Sequence, residues 1–399
     1  MRILFADQFS ELGGAQLALL DVLDEATRRG WRAELMAPGN GPLHSACADR
    51  GIPSWPLPFA GYFNGGKTVH DVLRYGIDTA RAVRSLGEAA ARFQPDVIYV
   101  NGPRVLPAAV LAARSQQRPV VFHLHSYLDR GYSRRIARLC VTGKSARVIA
   151  ISRFVAQPFS RLGADDRLRI IYNGVRDHGF VPRPRPGPAC IGILGRISRQ
   201  KGHLDFVRAA RRMAMARPEL RFLVFGAAMF GDDHYSQEVR AAAQVVPIEF
   251  RGWANDVSAA LHEIDILAVP SGPAEGATRV IMEAFSAGTP VVAYPSGGIP
   301  ELVRDGETGM LTATPGPEAL ADALSQLLDD AGLARRLSLQ GRREWGGRFR
   351  LDRCQREICD FIQGPLVSSM AANGLSTTSE ARSGRRAAAS ASDAGRVAP

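Results

Sequence analysis

The sequence predicts an α/β protein made of two doubly wound domains, each a parallel sheet covered by helices on both faces. Three observations carry this expectation. Short β-branched or apolar runs alternate with helix-length segments, most of those runs are apolar on both faces, and a Pro-rich break separates two such series. A chain of 399 residues is long enough for two domains.

In the first half the expected strands are RILFAD from Arg2, RAELMAP from Arg32, DVIYVN from Asp96, PVVFHLH from Pro119, RVIAIS from Arg147 and LRIIYNG from Leu168. Helical segments lie between them, among them AQLALLDVLDEATRRG and VHDVLRYGIDTARAVRSLGEAAARF. The first domain is set at 1–180. VPRPRPGP, residues 181–188, reads as an extended linker. The alternation restarts with ACIGILG, a helix from about His203, RFLVFG, IEFRG, DILAVP, a helix around Glu283 and PVVAYP, which sets the second domain at 189–345. Residues 346–364 read as a helix that packs back on the first domain. Beyond it, 365–399 is small and polar, cannot offset its ordering entropy and is expected to be disordered; a weak tether to a membrane or partner is the alternative.

Composition narrows the function classes. With 46% hydrophobic and 22% charged residues, 40 Gly and 25 Pro, the chain is not collagen-like, coiled-coil or wholly disordered. No apolar run reaches the roughly 18 residues of a membrane-spanning helix. MRILFADQFSELGG does not read as a secretory signal. Five cysteines (Cys47, Cys140, Cys190, Cys354, Cys359) are odd in number and form no CxxC pair, so neither a zinc site nor a disulfide framework is expected and a cytoplasmic setting fits. The net charge of +11 is uneven: residues 1–180 hold 24 Lys and Arg against 15 Asp and Glu, whereas 181–364 hold 22 against 22. The basic half points to an anionic partner, a membrane surface or a phosphate-bearing acceptor. Nucleic acid is the rival, but no RNP motif, zinc finger or long basic helix supports it.

The sharpest chemistry lies in the second half. Its first strand ends in Gly195-Arg196, and Lys201-Gly202 precede a helix. Ligands of doubly wound sheets sit beyond the carboxyl ends of the strands, and a helix N-terminus offers free N–H groups, so Arg196 and Lys201 would make a diphosphate site. Either residue alone would more often be a solvated charge. Glu275 follows the strand DILAVPS, and Glu283 lies in the next helix. Carboxylates suit hydroxyl-rich ligands. The bland alternatives are a helix-dipole partner for Glu275 and surface solvation for Glu283.

GRISRQKG, FRGW, DILAVPS, EGATRVIME, AGTPVVA, GGIPELV and DGETG follow one another in the order seen in glycosyltransferase family 4, the retaining group 1 glycosyltransferases of the GT-B fold, and the second half resembles their nucleotide-sugar domain. GGAQ, HLHS, IAISRF and YNGV resemble the acceptor domain of that family. The resemblance spans Met1 to about Phe361 and implies two Rossmann-like domains facing each other across a cleft. It implies that Arg196 and Lys201 hold the donor diphosphate, that Glu283 binds the ribose and that Glu275 meets hydroxyls of the donor sugar. Gly13 and Gly14 would let backbone approach the donor and acceptor; the alternative is a tight turn opening a helix. His125 would sit against the transferred sugar, with His123 two residues earlier and further from the strand end. Gly195, Gly276, Ala277 and Thr278 complete the expected donor site. No cofactor and no metal are expected, since two cations would neutralise the diphosphate.

Two places depart from the family pattern. Ala277-Thr278 stand where relatives commonly carry Phe-Gly, and a β-branched Thr adopts positive φ with difficulty, so a differently shaped loop is expected. FGAAM, Phe225 to Met229, replaces the more usual Gly-x-Gly. Trp253 in FRGW is placed near the base, either stacked on it or packed under the loop. The implied activity is transfer of a sugar from a nucleotide-diphosphate sugar to a glycan or lipid-linked acceptor with retention, in the cytoplasm and peripheral to the inner face of the plasma membrane. The alternatives are a catalytically silent nucleotide-sugar-binding member or a nucleotide-sugar epimerase.

Overall fold

A computed structural model describes residues 1–59, 68–143, 145–185, 187–229 and 232–364. The tail at 365–399 lies outside the described residues.

 Pro186, within the 181–188 segment, is likewise outside them.

The first sheet joins seven strands, β1 (Arg2–Asp7), β2 (Arg32–Pro38), β3 (Ser54–Leu57), β4 (Val97–Asn101), β5 (Val120–Leu124), β6 (Ala146–Ala150) and β7 (Leu168–Ile170), in the order β3-β2-β1-β4-β5-β6-β7. The second joins six, β8 (Cys190–Leu194), β9 (Arg221–Phe225), β10 (Ile248–Gly252), β11 (Ile266–Val269), β12 (Val291–Ala293) and β13 (Met310–Leu311), in the order β10-β9-β8-β11-β12-β13. Every pairing is parallel. The central strands are buried on both faces, which is why they read as unbroken apolar runs. β3 was not expected. Its SWPL carries Pro56, whose missing N–H is tolerated because β3 is the edge of the sheet.

Each sheet reverses its winding once, between β1 and β4 in the first and between β8 and β11 in the second. The crevice for a ligand lies beyond the carboxyl ends of the strands at such a reversal. Asp7, Asn101 and His125 therefore stand at or just past strand ends in the first domain, and Gly195, Arg196 and the loop to Glu275 do so in the second.

Helix Gly14–Arg28 buries Ala18, Leu19, Val22, Leu23 and Ala26 against the first sheet, and its buried Glu25 is held by Arg28 at 2.5 Å and Arg29 at 2.7 Å. The helix at 351–364 returns to this domain after the turn Trp345–Phe349. Ile358, Cys359, Phe361 and Ile362 share a core with Ile3, Phe5 and Leu19, each such side chain contributing about 1.5–3 kcal/mol on burial. Arg29–Asp360 at 2.7 Å and Arg147 to the Phe361 carbonyl at 2.6 Å close its edges. The Pro-rich segment does not span open space: the buried Arg183 donates to the Ile264 and Leu261 carbonyls, and Arg185 pairs with Asp265 at 2.6 Å, so the segment is fastened along the second domain.

Candidate active site

Two loops of the second domain meet beyond its sheet. β8 runs into Gly195, held at φ +144, and then Arg196, whose Nε lies 3.7 Å from Asp232. The chain continues through the turn Arg199–Lys201 to Gly202 at φ +73, which opens the helix His203–Ala216. A Cβ at Gly202 would overlap the Pro270 carbonyl oxygen, so only glycine lets this loop lie against the one after β11. Gly272 N–H donates to the Gln200 carbonyl at 2.8 Å and reinforces the seam. The result is a close group: Lys201 Nζ donates to Glu275 Oε2 at 2.7 Å and to Thr278 Oγ1 at 3.0 Å.

The segment Glu275–Thr278 is fixed from outside. Gly298 N–H donates to the Glu275 carbonyl at 2.8 Å, and Ser152 Oγ of the first domain donates to the Gly276 carbonyl at 2.8 Å. The positive-φ difficulty expected at Ala277-Thr278 does not arise. Neither residue has positive φ, and Thr278 is extended at φ −74, ψ 125 as the N-cap of helix Arg279–Ala287. Extended backbone suits a β-branched residue. Trp253 is half-exposed on the loop after β10. In FGAAM, Gly226 packs so closely on the Gly195 carbonyl that a Cβ there would overlap it.

Glu283 lies on the same helix but not in the Lys201 group as drawn by its hydrogen bonds. Its carboxylate is 3.6 Å from Arg279 Nε. Arg279 in turn crosses to the first domain, where its Nη1 is 3.1 Å from Asp21 Oδ2 and its Cδ is 3.8 Å from the place a Cβ on Gly14 would take. Burial pushes the Asp21 carboxyl up despite this guanidinium. Gly13 caps helix Gly14–Arg28 with extended backbone, φ −104 and ψ −176, so neither glycine of the pair is needed for a left-handed turn. A Cβ at Gly14 would meet Arg279 only in ordinary van der Waals contact, so this neighbour does not demand glycine there.

His125 follows β5. Its Nε2 donates to Asn101 Oδ1 at 2.7 Å, its backbone carbonyl is 3.0 Å from the place of a Gly276 Cβ, and its ring lies 3.9 Å from that of His123. Burial, aided by Arg279, pushes its imidazolium down to about 3, so the ring is neutral. The structure thus brings Lys201, Glu275 and Thr278 into one group, sets His125 against Gly276 across the cleft, and pairs Glu283 with Arg279. Sequence reasoning passed over Arg279, Asn101 and Asp7. The signal was present: Asp7 and Asn101 end the two strands flanking the first reversal, and Arg279 sits inside EGATRVIME.

The family described as Glycosyltransferase Family 4 matches residues 12–178, and that described as Glycosyl transferases group 1 matches residues 188–330. The phosphatidyl-myo-inositol mannosyltransferase of Mycobacterium tuberculosis is 26% identical over 353 residues, covering 84% of this chain and 88% of that protein. Among solved structures, Anabaena Alr3699/HepE in complex with UDP-glucose aligns with a TM-score of 0.76 at 24% identity over 91% of this chain and all of that one. Sucrose-phosphate synthase from Thermosynechococcus elongatus aligns with a TM-score of 0.74 at 17% identity, over 92% of this chain and all of that one. The shared architecture is the GT-B fold of two Rossmann-like domains.

Proposed function

This chain belongs to the group 1 glycosyltransferases of family 4, and we propose that it moves a sugar from a nucleotide-diphosphate donor to a hydroxyl of a glycan or lipid-linked acceptor with retention of configuration. The single observation that carries the reading is the group of Lys201, Glu275 and Thr278 at the reversal point of the second sheet. An ammonium between a carboxylate and a hydroxyl, beside a helix N-terminus, suits a sugar diphosphate.

In this reading Arg196 and Lys201 take up the negative charge that grows on the departing diphosphate, and N–H groups at the start of helix Arg279–Ala287 assist them. Glu275, freed from Lys201, accepts hydroxyls of the donor sugar, and Glu283 accepts those of the ribose. His125 lies against the transferred sugar, with Gly13 and Gly14 on the acceptor side. The acceptor hydroxyl attacks the anomeric carbon on the face from which the phosphate leaves, and a phosphate oxygen accepts its proton. Two cationic side chains serve the leaving group, so the reading calls on no metal. Alr3699/HepE, a structural neighbour, was solved with UDP-glucose, which supports a nucleotide-sugar donor here as well.

The reading extends to an anionic membrane surface as a partner. Among the described residues no helix is long and apolar enough to cross a membrane. Helix Gly131–Cys140 instead exposes Tyr132, Ile136 and Leu139 beside Arg134, Arg135 and Arg138. Such a helix suits shallow docking on anionic lipid.

Incubation with UDP-, GDP- and ADP-sugars, with and without hydroxyl acceptors, tests the function. Transfer with the anomeric configuration kept supports it. Binding without turnover would mark a silent member, interconversion of the donor without acceptor an epimerase, and either would overturn the proposal.

A further inference from the structure

The parallel register places Asp7 of β1 beside Asn101 of β4, and Asn101 beside His123 of β5, two residues before His125. Asp7 and Asn101 are buried. Asp7 Oδ1 accepts the Phe9 N–H at 2.8 Å and Gln16 Nε2 at 2.9 Å, while Asp7 Oδ2 accepts Asn101 Nδ2 at 2.5 Å. Asn101 Nδ2 also donates to the Ala15 carbonyl at 3.2 Å. With a carboxylate and a carbonyl around it, that end of the amide must be the NH2 group.

The rest follows from donor and acceptor chemistry. Asn101 Oδ1 then faces His125 Nε2 at 2.7 Å, and an amide oxygen only accepts, so Nε2 carries the ring proton. A neutral imidazole has one N–H, which leaves Nδ1 as a bare lone pair. His125 Nδ1 is buried and has no hydrogen-bond partner. A buried acceptor left without a donor carries a desolvation cost that a ligand's hydroxyl would relieve.

We propose that Asp7 and Asn101 are positioning residues that hold His125 in the Nε2–H tautomer, so that Nδ1 accepts a hydrogen bond from a hydroxyl of the sugar donor or of the acceptor. The role in turnover rests on the transferase reading above; the tautomer does not. Gln16 extends the row to the mouth of the cleft, since its Oε1 accepts the Gly13 N–H at 3.2 Å. The glycine loop and the histidine are thus tied to the same carboxylate.

Asp7→Asn gives the sharpest test because it preserves shape and reverses direction. The Phe9 N–H and Gln16 Nε2 would keep the new amide oxygen on their side and turn its NH2 toward Asn101. Asn101 would flip to accept from it, giving up its bond to the Ala15 carbonyl, so that its own NH2 faces His125 Nε2 and the ring proton moves to Nδ1. Nitrogen-15 NMR of the ring, assigned with His125→Phe, reads this directly. Expected are a protonated Nε2 and an unprotonated Nδ1 in the wild type, and the reverse in Asp7→Asn. kcat/KM should fall by about 10–100-fold, the effect of replacing one buried hydrogen bond to a substrate hydroxyl by an opposed N–H. Asn101→Leu, which removes the acceptor, is the second variant should the first fail to fold, and it should give a mixture of tautomers.

A wild-type ring protonated at Nδ1, or one tautomer unchanged in both variants, would overturn the proposal. Substrates lacking one hydroxyl identify the ligand. If a deoxy donor slows the wild type but not Asp7→Asn, the hydroxyl belongs to the donor; the same pattern with a deoxy acceptor assigns it to the acceptor. Should no donor be turned over by the wild type, the transferase reading falls and the NMR result alone decides the row.

Discussion

Lys201 Nζ and Glu275 Oε2 lie 2.7 Å apart, joining two loops 74 residues distant in the chain, with side chains only 22% and 11% exposed. Each is the other's compensation in a half-buried setting, so removing one leaves a poorly solvated charge. Glu275→Gln keeps the shape and an oxygen for the ammonium. It should fold as the wild type does by circular dichroism while kcat falls by about 10²–10³-fold. Wild-type kcat in this variant would remove Glu275 from the site.

Gly202 and Gly30 offer a matched comparison. Their φ values are +73 and +71, yet a Cβ at Gly202 would overlap the Pro270 carbonyl oxygen while one at Gly30 would meet nothing within 4 Å. Gly30→Ala should cost about 1 kcal/mol, from backbone strain alone. Gly202→Ala adds the overlap and should cost about 1–3 kcal/mol more, with weakened nucleotide binding. Equal losses in thermal or urea denaturation would show that the two loops do not meet as closely as described.

Acid should destabilise the fold. Burial lowers His125 from its ordinary 6.5 to about 3 and His203 to about 4, helped by Arg279 and Lys201 respectively. A histidine lowered in the folded state binds more protons when unfolded, so its contribution is complete above about pH 6.5 and is lost as pH falls toward the folded values. Asp7, raised by burial from 3.8 to about 6, acts in the opposite sense between those two values. His123 and His178 are lowered by burial as well, and Asp21 and Asp232 are raised, so four histidines stand against three carboxyls. The melting temperature should therefore fall between pH 6.5 and 4.5, and the fall should be shallower in His203→Leu. An unchanged slope in that variant would contradict its burial as a neutral ring.

The proposed membrane docking would rest on the helix Gly131–Cys140, where Tyr132 and Leu139 are 55% and 60% exposed. Flotation with phosphatidylglycerol vesicles should recover the protein at low salt and lose it at high salt. Each arginine near an anionic surface contributes about 1 kcal/mol, so Arg135→Glu with Arg138→Glu should abolish flotation. No binding at low salt would end the idea.

The architecture was legible because a parallel sheet covered on both faces writes each strand as an unbroken apolar run. β3 was hidden by Pro56, and β13, with only Met310 and Leu311, is too short to show a pattern. Lys201 and Glu275 were readable from their strand-to-helix loops. Arg279 was not, because attention to the two carboxylates of EGATRVIME hides a cation between them whose partner, Asp21, is 258 residues away. Asp7 and Asn101 look like ordinary polar strand ends, and only the sheet order shows that they are neighbours. The contact of Glu283 with Arg279 likewise depends on which way a helix side chain turns, which spacing alone does not encode.

Calorimetric titration of UDP, GDP and ADP into the wild type, Arg196→Ala and Lys201→Ala bears most directly on the diphosphate site. One of the three should bind the wild type, and each variant should weaken that binding by at least about tenfold, or about 1.4 kcal/mol. Wild-type affinity in both variants would contradict the assignment of these two cations to the departing diphosphate.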